Sequence, residues 1–258
     1  MGIVNLTPDS FSGDGVGKSV ASALAHAHAQ LDAGADILDL GAESSRPGAP
    51  PTPLNEELDR LLPVLEGLNG CGVPVSVDTY KPEVMRAALA AGADMINDIC
   101  GLRVPGALDA VADSHCGVCV MHMQGEPRTM QAEPVYRDVE HEVAAFLDLQ
   151  VQAAVAAGVG RERLVLDPGF GFGKTLAHNT TLFRALPRLT AQGLPVLVGV
   201  SRKSMLGALT GREVADRLAA SLAAAVVAAQ SGAAIIRVHD VAATRDALTV
   251  WQALKGES

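Results

Sequence analysis

Eight short apolar runs, each of three to five residues, recur along the chain, and each leads into polar groups. Gly2–Val4 meets Asn5, Asp36–Leu40 carries Asp39, Pro74–Val77 ends at Asp78, and Asp94–Ile96 meets Asn97 and Asp98. Val118–Met121 meets His122, Leu164–Leu166 meets Asp167, Val196–Val200 meets Ser201-Arg-Lys203, and Ala234–Ile236 meets Arg237 and His239. Runs this short and apolar read as buried strands. Helical patterns cover Ser19–Ala33, Glu56–Leu68, Pro82–Ala91, Val139–Ala157, Asn179–Leu189 and Glu213–Ser231. Three joints share one phrase, around Gly34, Gly92 and Gly232, in which a helix ends on glycine and a strand follows within two residues. Strands alternating with helices predict parallel pairing through crossovers. Eight repeats without a Ser- or Pro-rich linker predict an α/β fold, a single (β/α)8 TIM barrel over residues 1–258. Such a barrel gathers the carboxyl ends of its strands, and the groups named above, around one mouth.

Composition narrows the partners. The net charge of −9 argues against a broad nucleic-acid surface, because such surfaces are basic. Leu218–Ile236 is the longest uncharged run, but it is mostly alanine and reads as a helix–turn–strand unit, so no membrane partner is expected. Four cysteines, at 71, 100, 116 and 119, with no secretory signal at Met1–Asn5, favour a reduced, cytoplasmic setting.

The mouth residues segregate by charge. Asp39, Asp78, Asn97 and Asp167 form an acidic, amide-bearing side; Lys203, Arg237 and His239 come from the last two strands, where barrels commonly bind phosphate. A matching ligand has an NH-rich head, suited to paired carboxylate oxygens, and a phosphorylated tail. Salt bridges that merely close an empty mouth are the structural alternative. Three long connections, Leu6–Lys18, Ala42–Leu54 and Met123–Arg137, follow strand ends and are candidate binding loops. Asp167–Thr175 ends in Gly-Lys-Thr, but a phosphate loop needs glycine where Pro168 stands. Its alternating glycines instead suit close approach to a flat ligand, with Phe172 as an apolar wall. Cys116 and Cys119 read as core residues, since no second cysteine pair completes a zinc site.

Eight motifs now stand in order: Asn5-Leu-Thr-Pro-Asp-Ser-Phe-Ser12, Gly41-Ala-Glu-Ser-Ser-Arg-Pro-Gly48, Ser76-Val-Asp-Thr79, Ile96-Asn-Asp98, Met121-His-Met-Gln124, Asp167–Thr175, Ser201-Arg-Lys-Ser-Met205 and Arg237-Val-His-Asp240. Their order and spacing over essentially the whole chain resemble the dihydropteroate synthase family. The resemblance implies a usually homodimeric barrel enzyme of folate synthesis. Such enzymes join 6-hydroxymethyl-7,8-dihydropterin diphosphate to 4-aminobenzoate and release pyrophosphate. It implies that Asp78, Asn97, Asp167 and Lys203 hold the pterin, and that Ser45, Arg237 and His239 hold the diphosphate. It further implies that Asn5 ligates Mg2+, and that Phe11, Arg46, Pro47, Phe172 and Ser204 form the 4-aminobenzoate pocket. Lys203, Arg237, His239 and Arg46 take the catalytic roles.

This chain departs from that pattern in three places. Ser45 stands where relatives carry threonine, the first loop reads Ser12-Gly-Asp14, and no upstream segment precedes the first strand. That last departure leaves either a less covered barrel bottom or an incomplete start. Two rival readings stay open: a pterin-dependent methyltransferase, which needs no diphosphate grip, and a non-catalytic pterin binder, which would have lost Asn5, Phe11, Arg46 or Lys203.

Overall fold

The computed structural model describes residues 1–7, 20–44, 49–127 and 129–255. Its strands are β1 (Gly2–Asn5), β2 (Leu38–Gly41), β3 (Val75–Asp78), β4 (Met95–Asp98), β5 (Gly117–Met121), β6 (Leu164–Asp167), β7 (Leu197–Val198) and β8 (Ile235–Ile236). The helices around them are α1 (Val20–Asp32), α2 (Leu54–Gly67), α3 (Pro82–Ala90), α4 (Ala107–Ala112) and α5 (Val139–Ala156). The second half adds α6 (Leu176–Arg184), α7 (Leu186–Thr190), α8 (Ser204–Thr210), α9 (Leu218–Gln230) and α10 (Val241–Lys255).

β1 to β6 pair in sequence order, all parallel, and β7 pairs with β8. Two seams close the ring. At one, Leu166 pairs with Val196 and its N–H donates to the Pro195 carbonyl over 2.9 Å. At the other, Gly2 pairs with Val238, and the Ile3 N–H donates to the Val238 carbonyl over 3.0 Å. No strand edge is left open at either seam, so the fold is the expected (β/α)8 barrel.

The two-residue period of a strand sorts the side chains. Val4, Leu40, Val77, Ile96, Val120, Leu166 and Val198 face outward into the core under the helices. Met1, Met95, Cys119 and Leu197 plug the amino-terminal half of the barrel interior. Each fully buried aliphatic chain contributes roughly 1.5–3 kcal/mol. Gly34, Gly92 and Gly232 have φ of +88°, +102° and +90°, the left-handed turns expected where helix hands over to strand.

The helix pattern differs in two respects. The stretch expected as one helix over Asn179–Leu189 breaks at Ala185, because Pro187 lacks an N–H and its ring would strike the carbonyl four residues back. Helices α4, α8 and α10 were not foreseen; α4 and α8 span six and seven residues, too short to show a period. Among the described residues, no helix is long and apolar enough to cross a membrane.

Candidate active site at the carboxyl ends of the strands

Parallel register sets one level of the mouth. Asn5 pairs with Gly41, Gly41 with Asp78, and Asp78 with Asn97, so three polar side chains and one glycine share a rung. Gly41 adds no side chain to that rung; a Cβ there would only touch the Asp78 Cβ at 3.8 Å and Asn5 Oδ1 at 3.9 Å. Asp167 ends β6, and its carbonyl accepts from the His122 N–H. Asp39 lies deeper, fully buried. Together with Lys203, Arg237 and His239, the residues Asn5, Asp78, Asn97 and Asp167 line one cavity of about 430 Å³.

Arg237 crosses this cavity to the acidic side. Its Nε donates to Asp39 Oδ2 over 2.6 Å and its Nη2 to Asp78 Oδ2 over 3.0 Å. Burial works against the guanidinium's charge, but Asp39 and Asp78 outweigh it and raise its pKa. Burial also pushes the Asp78 carboxyl up, with Arg237 opposing, and raises Asp167, with Lys203 opposing. The Lys203 ammonium is pulled down to about 8 by burial, against the pull of Asp167. Among the described residues, three buried atoms at or below the rung lack a hydrogen-bond partner: Asp39 Oδ1, Ser76 Oγ and Asn97 Oδ1. Orphaned acceptors this deep are costly unless a ligand or water supplies donors.

The β7–β8 side is assembled from loop residues. Lys203 Nζ donates to the Phe170 carbonyl over 2.6 Å and stands 4.7 Å from the centroid of the Phe172 ring. Ser201 Oγ accepts from the His239 N–H and lies 3.1 Å from its Nδ1. Arg202 occupies the left-handed region at φ 57°, a conformation costly for any residue with a Cβ and kept only where the surroundings fix it. Its guanidinium grips Asp240, and Arg217 donates to its carbonyl over 3.0 Å. Phe172 and Ser204 complete this side of the cavity.

Residues 1–239 match the model of the pterin binding enzyme family. The chain belongs to the pterin-binding enzymes, among the dihydropteroate synthases. It is 52% identical over 259 residues to the dihydropteroate synthase of Neisseria meningitidis serogroup C, covering 98% of this chain and 92% of the relative. The Xanthomonas albilineans synthase, solved with 4-aminobenzoic acid, superimposes with a TM-score of 0.92 at 55% identity, covering 100% of this chain and 93% of that one. The Burkholderia cenocepacia synthase, solved with 7,8-dihydropteroate, gives 0.91 at 54% identity, covering 98% and 90%.

Within this pterin-binding enzyme the expected residues fall into three groups. Asn5, Asp78, Asn97, Asp167, Phe172, Lys203, Ser204, Arg237 and His239 meet at one cavity. Phe11, Ser45, Arg46 and Pro47, with Asp14, lie outside the described residues. Two strand-end groups expected at the mouth do not reach it. Asp98 points outward, one residue out of phase with Asn97, and its carboxylate accepts from the Cys100 and Leu102 N–H groups. His122 is buried behind the mouth beside Lys174. Lys174 is no phosphate ligand either, because protein acceptors occupy its ammonium. Cys116 and Cys119 are buried and form no disulfide, as a core role requires. Arg202 and Arg217 also line the cavity, with Asp240 holding Arg202; Arg202 and Asp240 stood inside motifs without a role assigned, Arg217 stood in none, and a positive φ leaves no mark on sequence.

Proposed function

We propose that the two sides of this mouth divide one condensation between them. The chain is a transferase: it joins 6-hydroxymethyl-7,8-dihydropterin diphosphate to 4-aminobenzoate, giving 7,8-dihydropteroate and pyrophosphate. One observation carries the division of labour: unpaired Asn97 Oδ1, the half-buried Asp78 carboxyl and the buried Asp167 carboxyl share a single cavity with Lys203, Arg237 and His239. An amino-heterocycle supplies the N–H donors that those acceptors need, and the basic side receives its diphosphate.

The pterin ring delocalises positive charge from its exocyclic methylene carbon, so the carbon–oxygen bond to diphosphate breaks first, in an SN1-like manner. Arg237 and His239 meet the negative charge that grows on the departing pyrophosphate. Arg237 must loosen its hold on Asp78 to do so, which the incoming N–H donors permit. The aromatic amine then attacks the methylene carbon and loses one proton, to the departed pyrophosphate or to solvent, so no enzyme nucleophile is needed. Lys203 sits between the pterin carbonyl and the amine site, where Phe172 and Ser204 supply wall and hydroxyl. Phe11, Arg46, Pro47 and Ser45 join them by the family pattern.

Mg2+ fits this donor set. No group of three His, Cys, Asp or Glu able to hold a metal occurs among the described residues, whereas Asn5 offers one hard oxygen at the cavity. Mg2+ is commonly held by few protein atoms together with substrate phosphates. When bound, it would neutralise charge on the diphosphate oxygens.

A homodimer is supported by the outer face of α9 and α10. Val227, Val250 and Leu254 are exposed there, beside a groove lined by Leu222, Val226 and Trp251. Contiguous apolar surface of this kind marks association sites. The cysteines, none of them in a disulfide, suit a reducing cytoplasm. Incubating the protein with both substrates and Mg2+ tests the activity: pyrophosphate release should require 4-aminobenzoate and match dihydropteroate mole for mole. Bound pterin without turnover would refute it.

A further inference from the structure

The near-phosphate-loop Asp167–Thr175 has a lysine that the mechanism above does not use. Lys174 is 3% exposed and does not line the mouth cavity. Its ammonium has the Gly169 carbonyl at 2.9 Å, the Phe172 carbonyl at 3.0 Å and His122 Nδ1 at 2.9 Å as near acceptors, with the His122 carbonyl at 3.5 Å. With the lysine charged, His122 accepts at Nδ1 and carries its proton on Nε2. Phe146 packs edge-on against the imidazole, with ring centroids 4.9 Å apart.

We propose that Lys174 and His122 form a buried clamp that shapes the Gly169–Phe172 arch and thereby positions Lys203 and Phe172 for the amine half of the reaction. The arch carries both features that locate Lys203, the Phe170 carbonyl and the Phe172 ring. It also passes very close to the strand beside it: a Cβ on Gly169 would lie 1.9 Å from the His122 carbonyl oxygen, and φ there is +67°. A backbone this crowded keeps its path only where side chains fix it, and Asn179 holds the far end by accepting from the Gly171 N–H over 2.8 Å. Two of the side chains that grip the pterin stand apart from the clamp: Asp78 and Asn97 belong to strand ladders. Asp167 touches it, accepting at Oδ1 from the Gly169 N–H over 2.7 Å and at its carbonyl from the His122 N–H. Burial, opposed by Asp167, draws Lys174 down to about 7, and burial with the neighbouring Lys174 charge draws His122 down to about 3.

This inference rests on the proposed reaction and is tested beside it. Lys174→Met removes the donors at nearly constant volume. The KM for 4-aminobenzoate should rise by about tenfold or more, as for a displaced positioning group, and by a larger factor than the KM for the dihydropterin diphosphate, which Asp78 and Asn97 still hold from their strands. His122→Leu should repeat that split, and His122→Asn, which keeps an acceptor, should restore most of it. If Lys174→Met does not fold, the two His122 variants decide the question. Variants that melt earlier but keep both wild-type KM values would reduce the clamp to a purely structural role and overturn the proposal. A wild-type chain that binds pterin yet forms no dihydropteroate would overturn the proposed reaction, and the clamp's role with it.

Discussion

Asn5, Asp78 and Asn97 belong to strands paired over three or four residues, whereas Lys203 and His239 stand beyond β7 and β8, which pair over two. The first group is fixed by backbone register. The second is held by its own side-chain contacts, Ser201 to His239 and Lys203 to the Phe170 carbonyl and the Phe172 ring. Recognition of a flat, rigid head needs acceptors at set spacings, which a ladder provides. A leaving group changes charge and position during reaction, and groups on loops can follow it. Arg237 joins the two regions, rooted beside β8 but bonded to Asp39 and Asp78.

The sharpest way to break this contrast is Arg237→Met. It should lower kcat/KM by roughly 10²- to 10³-fold through loss of the charge facing pyrophosphate. It should also lower stability by about 3–5 kcal/mol, since Asp39 loses its cation in a fully buried position. Denaturant melts and steady-state kinetics on one preparation check both outcomes. His239→Gln and Asp167→Asn should then separate the two sides. The first should cut kcat by about 10²-fold with pterin affinity kept; the second should raise the pterin KM by about tenfold to a hundredfold through a lost charge-assisted hydrogen bond.

A milder effect concerns pH. Burial lowers Lys203 to about 8, so its ammonium is present below that pH and lost above it. If the ammonium serves the reaction, kcat/KM should fall as pH rises through about 8, by about tenfold per unit beyond it. Lys203→Arg should remove that fall from the accessible range. The smallest effect is expected at Cys119→Ser, inside the barrel's apolar plug. Stability should drop by about 1–3 kcal/mol for an unbonded buried hydroxyl, with kcat unchanged.

The eight strands were legible because each is a short apolar run stopping at a polar residue, and the three glycine joints located the turns between helix and strand. The strand-borne acids were legible for the same reason. A two-residue period also decides which strand-end group faces inward, yet a run's last residue does not announce its phase; Asp98 and His122 were therefore placed at the mouth in error. Lys174 illustrates another limit. Gly-Lys-Thr names a chemistry by composition, but only the path of the arch shows that carbonyls already occupy the ammonium. The left-handed Arg202 and its grip on Asp240 depend on contacts 38 residues apart in sequence, beyond any local pattern.

The most direct test of the two-sided mouth is a crystal structure with Mg2+ and an unreactive dihydropterin diphosphate analogue. The bicycle's N–H edge should lie on Asp78, Asn97 and Asp167, the diphosphate should reach Asn5, Arg237 and His239, and Arg237 should have left Asp78. A diphosphate bound away from the β7–β8 side, or Arg237 still bonded to Asp78 beneath a bound ligand, would contradict the account.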